Sequence, residues 1–163
     1  MIQKATEKLS LREATLEDAR MLYEWANDEC VRNNAFSKEP IPWEEHLIWY
    51  QKKIVDTKCQ IYIIQKMDAE NKKVPIGQIR IDQREGNGEI DISIAAPYRN
   101  EGFGRIAFSL VLEQIKRDMP QIEKLVAKVK KKNLASIKAL QMAGFILTKQ
   151  NEQYDQLEKW VTK

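Results

Sequence analysis

The segment from 88 to 119 constrains the fold most, because a strand pattern there runs into a glycine-rich turn and then into a helix. "GEIDISIA" alternates polar and apolar residues with the period of a strand. Gly102 and Gly104 follow, and apolar residues then recur at helical spacing to about Met119, where Pro120 marks the helix end. A chain with this unit needs a sheet with helices packed against it.

The remaining segments predict a mixed α/β fold with the element order β-α-α-β-β-β-α-β-α-β-β. Pro42 is expected to open the second helix, and the preceding "ECVRNNAFSKEPIP" is expected to be a loop. "REGNG" supplies glycine and asparagine for a turn with positive φ, which predicts an antiparallel hairpin. Asn133 is expected to cap a short helix that Gly144 ends. We expect residues 1–163 to form a single domain.

Composition and charge argue against several classes of protein. The 27 basic and 24 acidic residues are interspersed, so we expect no nucleic-acid partner. No run of about 18 uncharged apolar residues occurs, and the first residues lack a signal-peptide pattern, so we expect a cytoplasmic protein with no membrane partner. Cys30 and Cys59 stand apart from any histidine cluster, so we expect no metal site.

The glycine turn indicates a phosphate site. Gly102 to Ala107 fits the dinucleotide pattern G-x-G-x-x-A, but the preceding strand belongs to the predicted hairpin rather than to a parallel pair. A helix start still offers unpaired amides and the positive end of a dipole, and Arg99 and Arg105 add charge. We therefore predict a bound phosphate or diphosphate, the alternative being a tight turn with solvated arginines.

Two motifs carry a family resemblance. Arg99-x-x-Gly102-x-Gly104 follows a strand and opens a helix, and "KKNLASIKALQMAGF" lies downstream. Together they resemble the acetyl-CoA motif and the second signature of the GNAT N-acetyltransferase superfamily. The resemblance implies a GNAT fold: a central, mostly antiparallel twisted sheet of about seven strands, splayed between strands 4 and 5, with helices on both faces. It also implies acetyl-CoA as cosubstrate.

The same resemblance implies a set of coenzyme-binding residues. Backbone amides at the helix start are expected to cradle the coenzyme diphosphate, and the pantetheine arm is expected to pair with the end of strand 4. Asn133 is expected to contact the coenzyme beyond the gap, although a plain helix cap is the alternative. The full set is Ile94, Ala95, Ala96, Arg99, Asn100, Gly102, Phe103, Gly104, Arg105, Asn133 and Ser136.

The identity of the acceptor is the next expectation. "EWANDECVRNNAF" and "PIPWEEHLIWYQKK" resemble enzymes that acetylate nucleotide-linked amino sugars, as in the pseudaminic acid pathway of surface and flagellar glycans. "GEIDISIAAPYRNEGFG" also resembles acetyltransferases that modify the N-terminal amines of ribosomal proteins. We expect a nucleotide-linked amino sugar as the small-molecule partner, with a protein N-terminal amine or a non-catalytic acyl-CoA-binding module as alternatives. We expect a monomer or a homodimer.

Acetyl transfer to an amine needs a base and a donor for the oxyanion. The splay is expected to leave the backbone N–H near Ile94 without a sheet partner, which makes it the candidate oxyanion donor. Strand alternation puts Glu89, Asp91 and Ser93 on one face. The resemblance favours Glu89 as the base, the alternative being that these carboxylates are simply solvated. Glu89, Ser93 and Ile94 are therefore the candidate catalytic residues.

The departing thiolate also needs a proton, and here the sequence departs from the family pattern. Leu140 stands where many GNAT enzymes carry a tyrosine. Ser136, Tyr154 or water could replace that tyrosine, or the thiolate could leave unprotonated, since the pKa of a thiol is near 8.5.

Acceptor contacts are expected from the N-terminal half. Arg32 could meet a nucleotide phosphate, and His46 with its neighbouring tryptophans could form an aromatic wall for a base or sugar. The alternative for His46 is a histidine held at the edge of the core. The candidate acceptor residues are Arg32, Asn33, Phe36, His46 and Trp49.

Overall fold

The computed structural model describes residues 9–161, which form one seven-stranded sheet flanked by helices. The strands are β1 (Leu9–Glu13), β2 (Cys59–Met67), β3 (Lys73–Arg84), β4 (Asn87–Ile94), β5 (Lys124–Lys130), β6 (Ile146–Gln150) and β7 (Tyr154–Trp160). The helices are α1 (Ala19–Ala26), α2 (Glu29–Asn34), α3 (Trp43–Ile54), α4 (Phe103–Asp118) and α5 (Leu134–Met142). No helix within residues 9–161 is both long enough and apolar enough to cross a bilayer.

The sheet confirms the predicted fold class. Its strand order is β1-β2-β3-β4-β5-β7-β6, and every neighbouring pair is antiparallel except β4 and β5. The parallel register of β4 with β5 extends only from Asn87 opposite Lys124 to Glu89 opposite Val126. Beyond Glu89 the two strands separate, which is the splay expected between strands 4 and 5.

Two hydrophobic clusters hold helices against opposite faces of the sheet. On β2, Tyr62 and Ile64 belong to the larger cluster, which includes the buried face of α4. Ile61 and Ile63 alternate with them and pack with Leu22 of α1 and Tyr50 of α3 in a smaller cluster. Burying each of these side chains contributes roughly 1.5–3 kcal/mol. Helices therefore cover both faces, as predicted.

The β3–β4 hairpin confirms the predicted antiparallel pair and corrects the residues of its turn. Positive φ angles occur at Glu85 (51°) and Gly86 (82°), whereas Asn87 already belongs to β4. A two-residue turn with positive φ at both positions matches the right-handed twist of the flanking strands. This turn sets the register that places Arg80 opposite Asp91.

The predicted loop "ECVRNNAFSKEPIP" is wrong over its first six residues, because Glu29–Asn34 is helical. Asp28 caps this helix, its Oδ1 accepting from the amides of Cys30 at 3.1 Å and Val31 at 3.3 Å. None of the six residues is buried. A helix that buries none of its residues needs no apolar residues at helical spacing, and this spacing is the signal from which a helix is predicted.

The two helices near the glycine turn lie close to their predicted bounds. α4 begins at Phe103, one residue before the predicted start, and ends two residues before Pro120. Asn133 caps α5, and Gly144 follows its end with a φ of 94°. Both caps therefore confirm what the sequence predicted.

Candidate active site

A cleft of about 810 Å³ lies where β4 and β5 separate. Residues from α4 and α5 line it on one face of the sheet, and residues from α1, α2 and α3 line it on the other. The separated parts of β4 and β5 form its middle. Because one cavity reaches both faces, groups bound on opposite sides of the sheet can meet in the gap.

The start of α4 presents backbone amides to this cleft. Gly102 precedes the helix in the left-handed conformation, with a φ of 82°, and no described side chain caps the helix. The first three amides, those of Phe103, Gly104 and Arg105, lack intrahelical acceptors. A Cβ atom on Gly102 would meet nothing within 4 Å, and one on Gly104 would meet only Ile94, at 4.0 Å. The space before these amides is open, so an anion can approach the backbone.

The side chains around this turn differ in their contacts. Arg99 donates to the Ile94 carbonyl at 2.9 Å and to Asp28 Oδ1 at 2.8 Å. Arg105 forms no ion pair with any residue from 9 to 161. Asn100 has a φ of 64° and lines the cleft. Arg105 is not among the residues that line the cleft, whereas Arg99 lines it and contacts the protein.

The end of β4 has backbone groups that face the gap. The Ala95 amide donates to the Ile76 carbonyl of the neighbouring strand segment at 2.7 Å. Because hydrogen bonding alternates along an antiparallel pair, the amides of Ile92 and Ile94 point away from β3, toward the gap. Ala96 begins a short 3-10 turn directly afterwards. An extended ligand in the gap can therefore pair with this edge of β4.

The start of α5 forms a wall of the cleft on the same face of the sheet as α4. Asn133 Oδ1 accepts from the Ser136 amide at 3.2 Å, and both residues line the cleft. Leu140 also lines it but is 3% exposed and offers no proton. The Tyr154 ring is 5.8 Å from the Phe36 ring, and Tyr154 is not among the cleft-lining residues. Of the two side chains considered as acids, only Ser136 faces the cleft.

Polar residues of β3 and β4 line the cleft on the face of the sheet that α1, α2 and α3 cover. Gln78 Nε2 donates to Asp91 Oδ2 at 3.0 Å and to Ser93 Oγ at 3.2 Å. Arg80 Nε is 2.9 Å from Asp82 Oδ2, a carboxylate that Lys53 Nζ also contacts at 2.6 Å, and Arg80 lies opposite Asp91 on β4. Asp91 is exposed, lines the cleft and has no ion-pair partner in the described chain. It is therefore a carboxylate available to a ligand.

Glu89 lies at the point where the two strands separate. Its Oε2 is 2.7 Å from Arg84 Nε, and its Oε1 is 3.1 Å from Lys128 Nζ. Glu89 is not among the residues that line the cleft, although Lys128 is. The residue expected to be the base thus bridges β3, β4 and β5 through two ion pairs.

Of the two tryptophans that flank His46 on α3, Trp49 lines the cleft and Trp43 does not. His46 is 3% exposed, and its Nε2 donates to the Ala19 carbonyl at 3.0 Å. Burial lowers the pKa of this imidazole, so it is neutral near pH 7. Its ring lies 5.8 Å from the ring of Trp49, which is partly exposed in the cleft together with Trp25 and Phe36. His46 therefore packs against Trp49 with little of its own surface exposed.

Arg32 holds the segment that follows α2. Its Nε donates to the Ala26 carbonyl at 2.7 Å, and its Nη1 donates to the carbonyls of Ser37 at 3.1 Å and Glu39 at 3.4 Å. It lines the cleft, and no carboxylate of the described chain pairs with it. Asn33 is exposed and is not among the cleft-lining residues.

Three further residues line the cleft but were not predicted as site residues from the sequence: Trp25, Gln78 and Arg80. The hairpin register could have identified the last two. Once a two-residue turn is placed at Glu85 and Gly86, Gln78 and Arg80 fall opposite the polar face of β4.

Across residues 9–161, no cluster of three or more histidine, cysteine, aspartate or glutamate side chains could hold a metal ion. Cys30 is exposed and Cys59 is buried. Burial raises the pKa of the Cys59 thiol to about 12, so this side chain stays protonated at neutral pH. Cys59 instead packs in the smaller cluster with Ile61 and Ile63.

Comparisons with known proteins agree with this geometry. Residues 8–146 match the acetyltransferase (GNAT) domain family. An uncharacterised protein of Methanocaldococcus jannaschii is 28% identical over 149 residues, which cover 90% of this chain and 30% of that protein. The chain thus spans about 30% of the length of that relative.

Solved structures share the fold. A domain from Methanocaldococcus jannaschii has a TM-score of 0.83 at 27% identity, covering 94% of this chain and 98% of that one. Spermidine N-acetyltransferase from Vibrio cholerae, bound to CoA and spermine, has a TM-score of 0.80 at 18% identity, covering 94% and 96%. An aminoglycoside acetyltransferase bound to coenzyme A and kanamycin has a TM-score of 0.75 at 19% identity, covering 93% and 94%.

The family match covers most of the chain, and the open helix start and splayed strands fit acetyl-CoA. The predicted superfamily is therefore confirmed. The chain belongs to the GNAT acetyltransferase family.

Proposed function

We propose that the protein transfers the acetyl group of acetyl-CoA to the primary amine of a nucleotide-linked amino sugar. The observation that carries this proposal is one cleft lined by three kinds of group: the uncapped amides of α4, the carboxylate of Asp91 and the guanidinium of Arg32. These groups complement a coenzyme diphosphate, a protonated amine and an acceptor phosphate.

The coenzyme would lie along α4, β4 and α5. The amides of residues 103–105 would hold the diphosphate, with Asn100 beside them. The pantetheine arm would pass between β4 and β5 and pair with residues 94–96. Asn133 and Ser136 would contact the coenzyme at the opposite wall. This arrangement delivers the thioester to the gap from the face opposite Asp91.

The reaction itself joins the amine nitrogen to the thioester carbon. Negative charge then develops on the carbonyl oxygen, and the backbone N–H near Ile94 would stabilise it. The bound ammonium group must first give one proton to a base, because only the neutral amine can attack. After the attack the carbon–sulfur bond breaks, coenzyme A leaves as a thiolate, and the nitrogen gives its second proton to water. The pKa of a thiol is near 8.5, so the thiolate can leave without an acid, and Ser136, which lines the cleft, is a candidate donor.

Asp91 suits the role of amine-binding carboxylate better than Glu89. Asp91 lines the cleft without an ion pair, and Gln78 orients its Oδ2 at 3.0 Å. Glu89 would have to break its contacts with Arg84 and Lys128 before reaching the amine. We therefore propose that Asp91 binds the ammonium group and accepts its proton directly or through water, while Ser93 shares the same donor. Glu89 as the base stays a prediction.

Arg32 gives the strongest reason for an anionic acceptor. Its three acceptors are neutral backbone carbonyls, so the guanidinium keeps its full charge while its position is fixed. Trp25, Trp49 and Phe36 line the same side and suit a sugar or base ring. A nucleotide-linked amino sugar combines an amine, a ring and a diphosphate in one molecule.

A polycationic amine is the second candidate. Glu45 and Asp91 both line the cleft, and neither forms an ion pair in the described part of the chain. Spermidine N-acetyltransferase, which shares the fold, is bound to spermine in its structure, and the aminoglycoside enzyme is bound to kanamycin. Two carboxylates in one pocket favour a ligand with two or more positive charges.

An acceptor panel separates these candidates. Thiol release from acetyl-CoA would be measured with a nucleotide-linked amino sugar, the same sugar without its nucleotide, spermidine, kanamycin and a short peptide. We expect the nucleotide-linked sugar to give a kcat/KM about 100-fold above that of the free sugar, equivalent to about 2.7 kcal/mol. Preference for spermidine or kanamycin would establish the second candidate, and preference for the peptide would establish an N-terminal-amine acetyltransferase. Coenzyme binding without turnover would indicate a binding module.

A further inference from the structure

The helix α2 has little packing to hold it in place. It is six residues long, and none of its residues is buried. An isolated helix of this length is unstable in water. Cys30, Val31, Arg32 and Asn34 nevertheless line the acceptor side of the cleft. Polar contacts at the ends of α2 must therefore fix these side chains.

The contact at the N-terminus of α2 leads to the coenzyme turn. Asp28 Oδ1 accepts from the amides of Cys30 and Val31 and from Arg99 Nη2, the last at 2.8 Å. The same guanidinium donates through Nε to the Ile94 carbonyl at 2.9 Å. The Asp28 and Arg99 side chains are only 28% and 26% exposed. Residues 71 positions apart in the chain are thus joined beside the end of β4.

Arg99 is also the first residue of the turn that leads into α4. Asn100 and Gly102 follow it, and both have positive φ angles. A diphosphate bound to the amides of residues 103–105 would restrict this turn and with it the Arg99 backbone. Its side chain would then hold Asp28, and Asp28 would hold the first turn of α2.

We propose that Asp28 and Arg99 form a positioning pair through which coenzyme binding orders α2 and raises affinity for the acceptor. The effect on the acceptor rests on the proposed location of the acceptor beside α2, whereas the ordering of α2 does not. Because coupling between two ligands is reciprocal, the acceptor raises affinity for the coenzyme by the same factor.

Hydrogen exchange of peptides that cover residues 29–34 tests the pair without any acceptor. We expect coenzyme A to slow exchange there at least threefold in the wild type. Asp28→Ser keeps a good helix cap but is too short to pair with Arg99. In Asp28→Ser, coenzyme A should no longer slow hydrogen exchange at residues 29–34, although the variant should bind coenzyme A with a Kd within about threefold of the wild-type value. Asp28→Asn keeps the cap and removes the charge, so it provides the same readout if Asp28→Ser does not fold.

Asp68→Ser is the matched control. Asp68 Oδ1 accepts from the amides of Glu70 at 2.8 Å and Lys72 at 2.9 Å, in a turn that does not line the cleft and contains no arginine. It should retain the coenzyme-dependent slowing in full. With the acceptor identified by the panel, Asp28→Ser should raise the acceptor KM several-fold and change kcat little.

Two results would overturn the pair and leave the proposed function intact. One is coenzyme A binding to the wild type without any change of exchange at residues 29–34. The other is unchanged slowing in both Asp28 variants. Failure of the wild type to bind coenzyme A would instead overturn the proposed function together with the pair. A double-mutant cycle of Asp28→Asn with Arg99→Gln should be non-additive in acceptor KM, and additivity would also contradict the pair.

Discussion

The proposed coenzyme side and the proposed acceptor side of the cleft are built in different ways. The coenzyme side presents backbone amides at the start of α4, a 16-residue helix with six buried residues. The acceptor side presents side chains, several of them from α2, which buries none. The packing of α4 fixes the backbone amides at its start, and this does not depend on which side chains α4 exposes. Side chains held by polar contacts can change without disturbing the core, so one fold can serve different acceptors.

Asp91→Asn should have the largest effect and should be confined to the acceptor side. Removing the carboxylate takes away both the amine contact and the proton acceptor, so kcat/KM should fall by about 10²–10³. The coenzyme Kd, measured by calorimetry, should change little. Glu89→Gln is the matched variant from the same face, and its loss should stay below about tenfold. A larger loss for Glu89→Gln would reassign the base to Glu89.

Gly104→Glu should weaken the binding of coenzyme A, which Asp91→Asn should leave nearly unchanged. A carboxylate at the first turn of α4 would occupy the phosphate space and repel the diphosphate, weakening coenzyme binding by about 1–3 kcal/mol. Gly104→Ala is the control, because a Cβ there meets only Ile94, at 4.0 Å, and should leave binding nearly unchanged. Calorimetric titration with coenzyme A measures both variants. If folded Gly104→Glu bound coenzyme A as tightly as the wild type, the diphosphate would not bind at this helix start.

Asp18→Asn should test whether polar contacts also stabilise the start of α1. Arg12 donates two hydrogen bonds of 2.8 Å to the Asp18 carboxylate, and the Thr15 amide donates a third. The hydrogen bond from Arg12 is the main cause that lowers the pKa of Asp18. The substitution should reduce the free energy of unfolding by about 2 kcal/mol at neutral pH.

The pH dependence of that difference follows from the direction of the pKa shift. Stability from the ionised carboxylate is complete above the ordinary aspartate pKa of about 3.9 and is lost as pH falls through the lowered folded-state value. Urea unfolding of wild type and Asp18→Asn at a series of pH values should therefore show the difference shrinking in acid. A difference that stays constant would show that the charge is not its source.

Arg32→Gln should have the smallest of these effects and the most selective one. Loss of the fixed charge should raise the KM for a nucleotide-linked sugar about tenfold, equivalent to about 1.4 kcal/mol. The free amino sugar lacks the phosphates, so its KM should rise much less. Steady-state kinetics with both acceptors gives the comparison. An equal increase for both would show that Arg32 acts only by holding the loop.

The coenzyme side could be predicted from the sequence because its signals are local. Gly102, Gly104 and the apolar spacing of α4 occur within one stretch of chain, and Asn133 directly precedes the helix it caps. The splay followed from the family resemblance that these motifs carry. No long-range contact had to be inferred for any of these features.

The acceptor side could be predicted only in part, because distant contacts determine it. Arg32 and Phe36, predicted as acceptor residues, line the cleft, but the helical state of residues 29–34 depends on a cap that Arg99 completes from 71 positions away. The contacts of Glu89 with Arg84 and Lys128 depend on the register of three strands. Contacts of this kind can be predicted only after the two-residue turn at Glu85 and Gly86 has fixed the register of β3 with β4.

A crystal structure with acetyl-CoA would test the central claim most directly. The account predicts diphosphate oxygens at about 3 Å from the amides of Phe103, Gly104 and Arg105, with the thioester carbonyl between β4 and β5 near the Ile94 amide. Coenzyme bound elsewhere on the protein, or a gap between these strands filled by side chains, would contradict it.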